Sequence, residues 1–245
     1  MKQGEFIVNG TSSKDLKSLI QFRPEISSPK RKVERKSIPG VSEDYIFDEE
    51  AYENTPINLK LFIKGQSEQE INQLKDEITY AFIGGRYIDF VPYWDSGMTY
   101  QVEVVEPPTF TQNGSYPLWL SYTVGLSAKP FKTRQKEVIQ ESTAELTLTN
   151  PYPYENQPII TLYGTGDMDL IVNGKSYVFK DIDDHVVVDS RIESAYKLIT
   201  GIPNSRNNRM YTMDFPLLKS GENKLSVTGN ATKFKVETRW KTLVS

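Results

Sequence analysis

The chain of 245 residues carries 29 lysines and arginines against 32 acidic residues, a formal net charge of −3, so no whole-chain field favours nucleic acid or an anionic membrane. It has no cysteine, which excludes disulfides, thiolate nucleophiles and cysteine zinc sites, and its one histidine confines any Ser-His-Asp arrangement to His185. The 14 tyrosines and 11 phenylalanines lean toward β structure, and no stretch approaches the ~20 apolar residues of a membrane-spanning helix. Residues 1–20 lack a basic start followed by a long apolar run, so the expectation is cytoplasmic synthesis without a secretory signal.

The first element, Glu5-Phe-Ile-Val8, reads as a short strand closed by the turn pair Asn9-Gly10. The run Lys30-Arg-Lys-Val-Glu-Arg-Lys36 is too charged for a buried strand, and Ser37-Ile-Pro-Gly40 ends it in a turn. This segment, about 28–45, reads as a solvated arm or an edge strand. Asn58 to Lys64 alternates Leu59, Leu61 and Ile63 against exposed neighbours, as a half-buried strand does.

The spacing then predicts a helix over 67–83. Ser67 and Glu70 form a capping box, Ile71, Leu74, Ile78 and Phe82 make one apolar stripe, and Gly84-Gly85 ends it. A single stripe predicts a helix lying on a sheet. Strands return at Tyr87–Phe90, Tyr100–Val105 and Leu118–Val124. From Gly125 to Ile139 the apolar periodicity disappears, and a domain boundary is placed there, at 137/138.

From Ala144–Thr149 onward the chain reads as all-β: Pro158–Gly166, Leu170–Lys175, Val186–Ser190 and Phe215–Asn223. Asn173-Gly174 has the composition of a two-residue hairpin turn. That turn sets Leu170 opposite Tyr177 and Met168 opposite Phe179 on one face, with Asp169, Ser176 and Lys180 on the other. The reading is a mainly β protein with one helix. Its first domain spans 1–137, its second spans 138–238, and a tail, 239–245, has the option of returning to the first domain.

The chemistry-bearing candidates are few. Asp181-Ile-Asp-Asp-His185, with Asp189, could be a metal or acid–base site or a polar hairpin turn; it lacks the alternation, glycine and closing glutamate of a calcium loop. Gly164-Thr-Gly166 reads as lying between strands and Gly84-Gly85 as a helix end, so neither is a phosphate loop. Among the tryptophans, Trp119 alternates within a strand, and Trp94, in a turn-rich segment, is the one free for ligand work. The expectation is therefore a protein that is not an enzyme, with no catalytic or metal residues and no cofactor. The basic run lacks interleaved aromatics and is interrupted by Glu34, so an arm pairing with acidic surface on a neighbouring subunit is preferred to a nucleic-acid patch. Its candidate interface residues are Lys30, Arg31, Lys32, Arg35, Lys36, Ile38 and Pro39.

Taken in order, these motifs resemble the distal tail proteins of long-tailed siphophages. Phe6-Ile-Val-Asn-Gly10, Ser37-Ile-Pro-Gly40, a strand, one capped helix and Gly-Gly are similar to that family's tail-tube-like first domain. Pro158–Gly166, Leu170–Gly174, Val186–Ser190 and Asp214–Asn223 are similar to its galectin-like, carbohydrate-binding-module-like second β-sandwich. In the family Ile-Pro-Gly is often followed by Arg and Gly, whereas Val41-Ser42-Glu43 follows here. The chain also lacks the length for the sugar-binding insertions of larger relatives.

The resemblance implies a virion protein at the distal tail tip. It would form a ring of six that joins the tail tube protein to the tail-tip protein and carries receptor-binding or baseplate proteins. DNA would pass through the ring without specific binding. The alternative is a stand-alone carbohydrate-binding β-sandwich, which solution mass separates from a ring.

Overall fold

The computed structural model describes residues 1–114, 116–136 and 139–245. The chain divides into two compact units, Met1–Gln135 with Leu243–Ser245, and Lys136–Thr242. The expected boundary at 137/138 falls on residues outside those described. No helix among the described residues is long and apolar enough to cross a membrane.

The first unit is built on a nine-stranded sheet, with Thr11–Ser12 and Ser18–Ile20 at the ends of its main path. Thr55–Lys64, next to Ser18–Ile20 on that path, buries Ile57, Leu59, Leu61 and Ile63 in strict alternation and pairs with Tyr116–Ala128 from Thr55–Ala128 through Lys64–Trp119. Period-two burial is what a sheet with one covered face requires. The cover is the single helix, Glu68–Ala81, whose buried residues are Ile71, Leu74, Ile78 and Ala81. Phe6 joins the layers, with ring centroids 6.0 Å from Phe82 and 6.2 Å from Phe90.

The helix ends differ in detail from the sequence expectation. Ser67 Oγ accepts from the Glu70 N–H at 3.2 Å, as a cap does. Glu70, however, does not return to Ser67: its carboxylate accepts the Gln66 N–H at 2.5 Å and pairs with Lys17. The helix stops at Ala81, and Phe82 caps it by donating to the Ile78 carbonyl at 2.9 Å. Gly84-Gly85 therefore turns the chain after the helix rather than capping it. The loss of periodicity read at Gly125 is also corrected. Tyr116–Ala128 runs through Gly125 as one strand, paired with the 16-residue strand Met98–Asn113, and Phe131–Arg134 pairs with residues 98–99. A register shift beside Gly125 hides the alternation in the sequence, because Glu106 packs where a side chain at Gly125 would stand.

The second unit depends on two long strands. Ile159–Val172 pairs with His185–Asp189 along its first half and with Lys175–Ile182 along its second. Gly221–Glu237 runs beside both halves. The halves are separated by bulges between Tyr163 and Met168, where the strand bends and the pairing partner changes. The bend keeps Ile160 and Leu162 on the same core as Met168, Leu170 and Val172. Gly164-Thr-Gly166 therefore lies inside one strand, not between two. A Cβ on Gly164 (φ +152°) would stand 2.2 Å from the Asn230 carbonyl oxygen, so only glycine fits.

The Asn173-Gly174 hairpin forms as its sequence predicts. Both residues have positive φ (52° and 83°), Leu170 faces Tyr177, and Met168 faces Phe179, all four buried. Near the chain end, Trp240 is buried in the same core, and Arg239 holds Asp189 through two hydrogen bonds of 2.7 and 3.1 Å. Val244 is buried in the first unit, donating to the Pro130 carbonyl at 2.9 Å.

The corner makes a paired prediction. Gly164→Ala should cost about 3 kcal/mol or more in urea unfolding, because backbone must move. Gly174→Ala, with nothing within 4 Å of its Cβ position, should cost only about 1 kcal/mol from positive φ. Equal losses at the two positions would contradict the close approach at the corner.

Candidate functional site

The arm is a β-hairpin whose base touches the first unit's large sheet, where Tyr52 meets Phe131 edge-on at 5.7 Å. Arg31–Lys36 pairs antiparallel with Tyr45–Tyr52 in a two-stranded sheet of its own. Lys30 closes its base, its carbonyl accepting the Glu53 N–H at 2.9 Å. At the far end the Val41 N–H donates to the Ile38 carbonyl at 3.0 Å, with Pro39 and Gly40 (φ +84°) at the centre of the turn. Proline second and a positive-φ glycine third is the signature of a type II turn.

The register places Glu34, Lys36, Tyr45 and Phe47 on one face and Val33, Arg35, Ile46 and Asp48 on the other. Apart from half-buried Val33 and the base residues Ala51 and Tyr52, both faces are exposed. Tyr45, Ile46 and Phe47 are 53%, 62% and 52% exposed, and Ile38 and Val41 are exposed beside them. An isolated two-stranded ribbon is marginal in water, since it has no interior in which to bury apolar side chains.

The structure brings the seven predicted arm residues onto one element but gives them different tasks. Arg31 donates from Nε to both Asp48 oxygens at 2.7 and 2.9 Å and lies 4.8 Å from the Tyr52 ring centre. Lys36 pairs with Glu34 at 3.4 Å and sits 5.3 Å from the Phe47 centroid. Among the described residues no ion pair engages Lys30, Lys32 or Arg35. Ile38 and Pro39 form the turn. The expected span of 28–45 stops short: the return strand Tyr45–Tyr52, with the apolar trio that dominates the exposed surface, was not read as a strand. The signal was there, since β-forming Tyr45-Ile46-Phe47 leads into acidic Asp48-Glu49-Glu50 opposite a basic run.

The other candidates resolve differently. Asp183 and Asp184 turn the chain between Lys175–Ile182 and His185–Asp189, but the turn is not a hairpin: these two strands pair with opposite halves of Ile159–Val172. Asp183 and Asp184 are engaged: Arg206 Nε meets Asp183 at 3.3 Å, Lys197 lies 3.4 Å from Asp183 and 3.7 Å from Asp184, and the His185 ring Nδ1 lies 2.8 Å from Asp184. The Arg206 hydrogen bond, and then that of Lys197, hold Asp183 below the usual carboxylate range.

Trp94 is not free. It sits half-buried in the short 3-10 turn Tyr93–Asp95, edge-on to Phe90 (6.4 Å) and Tyr93 (5.2 Å). Asp95 in that turn accepts from the Tyr100 hydroxyl at 2.9 Å and pairs with buried Lys132 at 2.8 Å. The exposed tryptophan is Trp119 (45%), tilted on Phe62 at 5.9 Å with Lys64 over its ring at 5.6 Å. With Tyr116, Pro117 and Leu118 it lines an apolar hollow of about 500 Å³.

No protein-family model matches the chain, and no curated protein matches it in sequence. Similarity appears in three dimensions. The Dit protein (gp 19.1) of phage SPP1, a hub adsorption apparatus of phages infecting Gram-positive bacteria, superposes with a TM-score of 0.75 at 16% identity, over 98% of this chain and 99% of that one. The chain has the Dit fold. A chain of the phage P2 baseplate, in its activated conformation with calcium, matches at a TM-score of 0.51 and 11% identity, over 100% of this chain and 99% of that one. The described residues are mainly β with one α-helix, as the sequence predicts.

Asp48 supplies a test of the hairpin's closure. The Arg31 hydrogen bond, then the Glu50 N–H, lowers its pKa. A carboxylate depressed in the folded state stabilises it above the unfolded pKa of about 3.9 and loses that contribution as pH falls through the folded value. The Glu50 amide resonance should therefore titrate with a midpoint below the ordinary aspartate value, and Asp48→Asn should abolish the step. A midpoint at or above that value would contradict the pairing.

Proposed function

We propose that this protein is a structural hub at the distal end of a phage tail. Copies close into a hexameric ring through their first units. The ring joins the tail tube protein on one side and a tail-tip protein on the other, and the second units carry receptor-binding or baseplate proteins. The observation that carries the reading is the extent of the Dit likeness, which spans both units and nearly the whole length of both chains. The exposed hairpin supports it independently: a ribbon with both faces in water gains most from seating Tyr45, Ile46 and Phe47 against another subunit.

On this reading the protein performs no catalysis, is made in the host cytoplasm and resides in the virion. Its net charge of −3 suits a ring through which DNA slides, because like charge prevents adhesion. The free cations of the arm, Lys30, Lys32 and Arg35, are then placed to meet acidic groups of the adjoining subunit.

Light scattering on a sizing column with negative-stain imaging tests this directly. A hexameric mass with an open centre is expected, and Ile46→Asp with Phe47→Asp should weaken association more than about tenfold by removing two apolar anchors worth roughly 1.5–3 kcal/mol each. A chain that stays monomeric at every concentration, and also when mixed with its tail tube protein, would sink the proposal.

A further inference from the structure

Two turns of this protein carry the same tripeptide, Val-Asn-Gly, at Val8–Gly10 and at Val172–Gly174. They also share one backbone form. Asparagine and glycine both have positive φ, 48° and 80° in the first turn and 52° and 83° in the second. The flanking pairs Val8–Thr11 and Val172–Lys175 close each as a two-residue hairpin. Even the outer backbone contact is repeated: the Asn9 N–H donates to the Asp89 carbonyl at 2.8 Å, and the Asn173 N–H to the Lys224 carbonyl at 2.8 Å.

The side chains differ. The Asn173 carboxamide is held at both ends, its Nδ2 donating to Asn223 Oδ1 at 2.9 Å and its Oδ1 accepting the Lys224 N–H at 2.9 Å. Asn223 is itself buried and fixed, its Nδ2 donating to the Lys219 carbonyl at 2.8 Å and its Oδ1 accepting the Lys219 N–H at 2.8 Å. The Asn9 carboxamide engages no partner among the described residues. Gly10 beside it is exposed, with nothing within 4 Å of the place where a Cβ would stand.

We infer that Asn9 is a site of spontaneous deamidation, and that two hydrogen bonds protect Asn173 from the same reaction. The Gly10 amide nitrogen gives its proton to solvent base and attacks Asn9 Cγ. A new C–N bond forms, the bond from Cγ to Nδ2 breaks, and that nitrogen takes a proton from water and leaves as ammonia. Water then opens the resulting succinimide at one of its two carbonyls, leaving aspartate or isoaspartate. In sum, one amide and one water become one carboxylic acid and one ammonia. Attack requires the carboxamide to swing over the glycine nitrogen. At Asn9 the swing breaks no hydrogen bond; at Asn173 it breaks two, each a net stabilising contact.

The product bears on the fold. Either form adds a negative charge to a chain of formal net charge −3. Isoaspartate also routes the backbone through Cβ, lengthening the turn that sets the register of Phe6–Val8, where Phe6 and Val8 are buried. The inference does not depend on ring formation, because each turn lies within one unit of one chain.

Peptide mass spectrometry on the full chain, incubated in mildly alkaline buffer, tests it. In the folded chain Asn9 should convert about tenfold or more faster than Asn173, the cost of breaking two hydrogen bonds. In concentrated urea, where the shared tripeptide alone sets the rate, the two positions should convert at similar rates. Exposure by itself predicts the opposite order in the folded chain, since Asn173 is exposed and Asn9 half-buried. Equal rates in the folded chain, a faster Asn173, or an Asn9 that converts only in urea would each overturn the inference.

Discussion

An antiparallel strand shows one face to each side, and this protein is organised by how each exposed face is, or is not, covered. In the first unit the helix Glu68–Ala81 lies over the sheet, and its stripe of Ile71, Leu74 and Ile78 supplies the apolar layer that Leu59, Leu61 and Ile63 need. In the second unit the described residues include no α-helix. Coverage comes instead from bending: Ile159–Val172 and Gly221–Glu237 turn at a glycine-bearing bulge, so one core receives side chains from both halves of the same strands. The arm has neither device. Residues 31–52 form a ribbon with water on both faces, and that leftover surface directs the functional reading toward assembly.

Legibility in the sequence followed the range of the determining interaction. The Asn173-Gly174 hairpin was readable to the residue, because a two-residue turn fixes register through contacts only a few positions apart. The helix was readable for the same reason. Its end was misplaced because Phe82 satisfies the last turn through its own backbone, leaving the glycines no capping role. What escaped was set by distant neighbours. Gly125 and Gly164 read as breaks, yet each sits within a long strand where Glu106 and Asn230 respectively approach from another strand.

The candidate site divided along the same line. The basic half of the arm was visible as a charge run, whereas its apolar return strand gained meaning only once paired. Trp94, expected to be free, is half-buried, and Trp119, expected in a core or an interface, is not in the core. A turn-rich sequence around Trp94 implied exposure, but Asp95, Tyr100 and buried Lys132 draw that turn against the sheet. Trp119 occupies a strand position whose opposite face carries half-buried Leu118 and buried Leu120 and Tyr122. Alternation put Trp119 outside, and no local signal distinguishes a covered outer face from an open one.

The arm's charge pattern bears on how such a surface avoids promiscuity. Open ribbon edges pair readily with any strand, and charged side chains are a common protection. Here the basic strand is partly neutralised from within, by Asp48 on Arg31 and Glu34 on Lys36, while Lys32 and Arg35 keep their charge. The return strand carries Asp48, Glu49 and Glu50 beyond the apolar trio. Two arms laid side by side in parallel register would oppose like charges, basic on basic or acidic on acidic. An arm seated on a different surface meets no such penalty. On the proposed reading the apolar trio supplies affinity while the flanking charges favour seating the arm on an unlike surface of the next subunit, the head-to-tail contact that a closed ring requires.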